Sequence, residues 1–120
     1  MIIISGHDGS NFIDSVYQLN LTNKLFSEWP SLLQPRSEHS SVILGRILYV
    51  FCGYNSGYLD SIERLNVDTR DEWTMFTIPG LSARTNPLVA PLNDTEVLVA
   101  GGHLTDVFIV NPEERTQRAI

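Results

Sequence analysis

Apolar residues fall in short runs along this 120-residue chain, and no window keeps the three- and four-residue spacing that an amphipathic helix needs over ten or more positions. Ile47-Leu48-Tyr49-Val50-Phe51-Cys52 and Val97-Leu98-Val99-Ala100 are continuous and stop at glycine, the pattern of strands covered on both faces. Ile2-Ile3-Ile4 is their counterpart at the start. Around Val16 and Ile62 apolar residues alternate with polar ones, which predicts less deeply buried strands in the same sheets. Edge strands are predicted at 26–29, 72–78 and 116–120, and the chain re-enters strands at 39–44 and 87–92, where Pro91 fits only an edge.

These elements repeat. Asp14, Asp60 and Asp106 stand 46 residues apart, Gly6, Gly53 and Gly102 are separated by 47 and 49, and Asn20, Asn66 and Asn111 follow at 46 and 45. Each asparagine opens a segment whose Asn and Asp side chains suit a turn. Four antiparallel strands at a period near 47 are the signature of a propeller blade. With strands lettered a to d, the middle unit is complete, the third has a short d, and the first lacks a. The expected fold is all-β, a partial β-propeller of just under three four-stranded antiparallel blades. It forms one segment over 1–120, with units 1–34, 35–80 and 81–120.

Asp60-Ser61-Ile62-Glu63-Arg64-Leu65-Asn66-Val67-Asp68-Thr69, closing on Trp73, resembles the kelch motif. Arg36-Ser37-Glu38-His39-Ser40 resembles that family's Arg and His approach to the first strand, and Gly101-Gly102 its double glycine. The sequence departs from the pattern at Ser5-Gly6 and Cys52-Gly53, at Leu19, Leu65 and Val110 where the family has tyrosine, and at Phe26 and Gln117 in the tryptophan slot. Gly6-His7 and Gly102-His103 echo the WD-type repeat, but the chain contains no Trp-Asp dipeptide. Trp73 is expected to fill the gap between neighbouring blades.

Composition narrows the function. Eight Lys and Arg stand against 14 Asp and Glu, a net charge of -6, and Lys24 is the one lysine. Phosphate-backbone binding needs clustered cations, so nucleic acid is not an expected partner. No apolar run approaches the roughly 20 residues that span a bilayer, and no basic stretch precedes the first apolar run as in a signal peptide. Cys52, the single cysteine, excludes an internal disulfide and a zinc site built on cysteine pairs, so a cytoplasmic, reducing location is expected. Asn20 and Asn93 open glycosylation triplets without an export signal beside them.

Propellers have four to eight blades, so just under three cannot close a ring. The open faces are expected to be covered by further blades in a longer chain, or by copies or another chain. No Gly-x-Ser-x-Gly elbow, sialidase box or phosphate-binding glycine loop is present, and the histidines lack ligand-spaced partners, so no catalytic residue, cofactor or metal site is predicted. The resemblance implies a protein-interaction module whose partners include cytoskeletal proteins or ubiquitin-ligase substrates. The alternative is a fragment of a larger propeller enzyme of the galactose-oxidase kind. Binding is expected on the b–c loops. Tyr54, Asn55 and Tyr58 in the middle loop are the partner-binding candidates, with Arg36 and Arg84 expected to point to the same rim and pair with acidic groups. The competing reading has Tyr58 packing on its own blade and both arginines bonding carbonyls of their own loops.

Overall fold

The computed structural model describes residues 1–120 as eleven strands in three antiparallel sheets, without a helix. Sheet 1 holds β1 (Ile2–His7), β2 (Phe12–Leu19) and β3 (Phe26–Trp29). Sheet 2 holds β4 (Ser40–Leu44), β5 (Ile47–Tyr54), β6 (Tyr58–Asn66) and β7 (Thr74–Phe76). Sheet 3 holds β8 (Leu88–Pro91), β9 (Val97–Ala100), β10 (Val107–Asn111) and β11 (Thr116–Ala119). Every sheet is a meander in which sequence neighbours pair. Pro91 lies on the edge strand β8, where its missing N–H costs no ladder bond.

The unbroken apolar run of β5 has a direct cause: the sheet is buried on both faces. Leu48 and Val50 join Val16, Trp29, Leu32, Leu65 and Trp73 in a core between sheets 1 and 2. Tyr49 and Phe51 point the other way and join Ile62, Phe76, Val97, Val99 and Val110 between sheets 2 and 3. Trp73 is almost fully buried, and its Nε1 donates to the Pro30 carbonyl at 2.8 Å, so its ring ties sheet 2 to the end of sheet 1. Phe26, in the same slot of sheet 1, is 62% exposed because no sheet covers that face.

Near the end of each b strand stand two consecutive residues with positive φ: Ser5-Gly6 (48° and 138°), Cys52-Gly53 (61° and 109°) and Gly101-Gly102 (67° and 84°). In the first two sheets the ladder slips one register there. The geometry explains the double-glycine pattern, since both positions need a conformation that costs an L side chain strain. The second glycine is also a contact point. A Cβ on Gly53 would collide with the Ser37 carbonyl and one on Gly102 with the Thr85 carbonyl, whereas Gly6 has nothing within 4 Å. The lead-in that covers the glycine in sheets 2 and 3 has no counterpart over sheet 1, so the β1 edge stays unpaired and an apolar groove lined by Ile2, Ile4, Ile43 and Leu48 opens beside it.

The c–d turns carry a second repeated device. Asn66 Oδ1 accepts the N–H groups of Asp68 and Thr69, Asn20 Oδ1 those of Thr22 and Asn23, and Asn111 Oδ1 that of Glu114. Four residues after each asparagine a cation sits in the left-handed region: Lys24, Arg70 and Arg115, at φ 61°, 49° and 57°. Arg70 lies 5.2 Å over the Trp29 ring and Arg115 4.8 Å over Phe76, each crossing from one sheet to the sheet before it.

Candidate functional site

The d–a connections and b–c hairpins gather at one end of the three sheets, and the arginines lie beneath their surface. Arg36 and Arg84 are both fully buried, which corrects the expectation that they face an acidic partner. Arg36 donates from Nη1 to the carbonyls of Cys52 (2.8 Å) and Ser61 (3.0 Å), and from Nη2 to Ser61 Oγ (3.1 Å) and Glu63 Oε2 (2.7 Å). Arg84 donates to Asp106 through both Nη atoms, at 2.7 and 3.2 Å, and to the carbonyls of Ser82 and Gly101. The left-handed residues Cys52 and Gly101 thus offer their carbonyls to an arginine in equivalent sheets.

The backbones of these arginines reach the other way. Arg36 N–H donates to the Ile13 carbonyl of sheet 1, and Arg84 N–H to the Leu59 carbonyl of sheet 2. Each arginine therefore bolts one sheet to the next, and its full burial keeps it out of a partner's reach. Glu63 completes the first bolt by accepting from the N–H groups of Leu33 and Gln34 at 2.6 and 3.1 Å. A glutamate inside a strand carries no motif, so its role was not visible in the sequence. The ladder also refines the repeat register: Val97 pairs with Val110 as Leu48 does with Leu65, and Asp106 then occupies the position of Ser61 rather than that of Asp60.

Tyr54 and Tyr58 belong to strand ends rather than to a loop, because β5 and β6 extend to pair them and leave Asn55-Ser56-Gly57 as the hairpin. Ser56 takes φ 56° to close it. Asn55 is half-buried, and its Nδ2 donates to the Pro35 carbonyl at 2.7 Å, bracing the hairpin against the preceding connection. Tyr58 is 57% exposed and packs on the neighbouring sheet's loop as well as on Tyr54 of its own sheet: its ring stacks on His103 with centroids 4.1 Å apart. Tyr54 lies 6.0 Å from Tyr58 and 5.8 Å from Phe12, and Phe12 lies 4.8 Å from His7. Five rings from three sheets thus form one continuous ladder along the rim.

No three His, Cys, Asp or Glu side chains converge in the arrangement of a metal centre. Tyr49, the inner-strand tyrosine, donates its hydroxyl to Glu113 Oε1 at 2.9 Å, and burial pushes its pKa up to about 12. Cys52 is buried, and desolvation raises its thiol to about 11. His39 is held below the usual histidine range, first by burial and then by the Arg36 charge. No helix is long and apolar enough to cross a membrane.

Residues 35–77 match the kelch motif, covering the connection that carries Arg36 and all four strands of sheet 2. No curated protein matches the sequence. The motif falls on the one sheet that has neighbours on both faces, and that sheet is similar to a kelch repeat.

Proposed function

We propose that the chain is a non-catalytic protein-interaction module, a single propeller segment with units 1–34, 35–80 and 81–120, that presents its b–c rim to a protein partner in the cytoplasm. The observation that carries this reading is the aromatic ladder. Rigid, partly exposed rings in a row offer a large contact area at small entropic cost, and Tyr58 stays more than half exposed even with His103 stacked on its ring. Tyr54 and Tyr58 are the contact residues, Asn55 holds the hairpin that separates them, and Arg36 and Arg84 fix the sheets on which the rim is built.

The test is affinity capture by the wild-type chain and by a Tyr54→Ala/Tyr58→Ala variant, with Lys24→Ala at the opposite end as control. Proteins retained by the control and lost from the double variant are the expected result. Capture unchanged by the double variant, with its fold intact, overturns the assignment of the rim.

The same reading includes cover for the two open faces, by further blades of a longer chain or by another copy. The free β1 edge, the uncovered Gly6 and the apolar groove beside Ile2 and Ile4 support it, since unpaired strand edges and exposed apolar walls are costly in water. Light scattering on the 13.5 kDa chain checks this: self-association or poor folding is expected, and a well-folded, stable monomer overturns it.

A further inference from the structure

The rim's charges are as ordered as its rings. Of eight Lys and Arg, the two at this end, Arg36 and Arg84, are buried and paired. The other six lie toward the opposite end: Arg46 in the β4–β5 turn, Lys24, Arg70 and Arg115 in the c–d turns, and Arg64 and Arg118 paired with Glu113 and Glu96 there. Around the ladder the exposed formal charges are Asp8, Glu38 and Asp60. Asp8 is held well below the usual carboxylate range by the N–H groups of Asn11 and Ser10. The surface therefore combines aromatic faces with carboxylates and exposes no cationic side chain of lysine or arginine.

We infer that this rim binds an extended, arginine-rich segment of a partner protein, a specificity that rests on the interaction-module reading above. Guanidinium groups stack on aromatic faces and pair with carboxylates, so one side-chain type satisfies both features, while an acidic segment meets only repulsion. The spacing suits an extended chain. Alternate side chains of a strand stand about 6.6 to 6.8 Å apart, close to the 5.8 Å and 6.0 Å steps from Phe12 to Tyr54 to Tyr58. Arginines at every second position then meet successive rings, with Asp60 and Glu38 flanking them.

The test is fluorescence anisotropy of labelled octapeptides alternating glycine with arginine, glutamate or serine. Binding of the arginine peptide, weakened by salt and absent for the other two, is expected. Tyr54→Ala/Tyr58→Ala lowers affinity by about tenfold or more. Glu38→Gln/Asp60→Asn, which leaves the rings in place, lowers it and flattens the salt dependence. Asp71→Asn/Glu72→Gln at the opposite end leaves it unchanged. Equal binding of the glutamate peptide, or arginine-peptide binding indifferent to both rim variants, overturns the inference. If the arginine peptide fails while captured proteins still depend on Tyr54 and Tyr58, the cationic specificity falls and the interaction rim stands.

Discussion

Arg36 Nη2 donates to Glu63 Oε2 across 2.7 Å, and neither side chain is exposed to water. The pair joins the connection leaving sheet 1 to the third strand of sheet 2, so its strength is that of a seam between repeats. Arg36→Ala leaves the Glu63 carboxylate buried beside two backbone donors with its counter-charge gone, and is expected to cost about 3 to 5 kcal/mol in urea unfolding. Arg84→Ala is expected to cost less, because Asp106 is 35% exposed and water replaces part of the lost partner. Equal losses at the two sites would show that burial of the carboxylate is not what separates them.

The two aromatic positions of the d-strand slot are predicted to differ sharply. Trp73→Ala opens a cavity between two sheets and is expected to cost about 3 to 5 kcal/mol. Trp73→Phe keeps most of the packing but leaves the Pro30 carbonyl without its donor, a loss of about 1 kcal/mol attributable to the hydrogen bond. Phe26→Ala, on the uncovered face, is expected within about 0.5 kcal/mol of wild type. Denaturation midpoints of the three variants check the order.

Gly53 and Gly6 separate backbone strain from close packing. Both have positive φ, so alanine is strained at either, but only at Gly53 does its Cβ meet the Ser37 carbonyl. Gly53→Ala is therefore expected to lower the unfolding midpoint clearly more than Gly6→Ala, and matching midpoints would mean that the carbonyl yields without cost.

Stability is expected to fall at both ends of the pH range. The folded state depresses the His39 pKa, so its contribution is present above the unfolded value of 6.5 and is lost as pH falls below it. Cys52 is raised from 9.0 to about 11 and Tyr49 from 10.0 to about 12, so their contributions are present below the unfolded values and are lost as pH rises through the folded ones. Thermal melts between pH 5 and 11 check both limbs. His39→Gln flattens the acid limb, and Cys52 stays unreactive toward a thiol reagent near pH 8 until the chain unfolds.

The strands were legible in the sequence because a sheet buried on both faces leaves a continuous apolar run, as at 47–52 and 97–100, and turns leave Asn and Gly at repeat spacing. The tyrosines of the rim were legible as residue types in the middle b–c connection. Their joining into a ladder was not, since His7, Phe12, Tyr58 and His103 come from hairpins of three different sheets.

Local pattern alone thus determined that this chain forms short antiparallel strands in repeated units, because side-chain alternation and turn chemistry act between near neighbours. Only the tertiary structure decided what the charged residues do. Arg36 and Arg84 look like surface arginines in a loop, and whether a guanidinium meets water or a carboxylate of the fold depends on residues 22 to 27 positions away that the folded sheets bring to it.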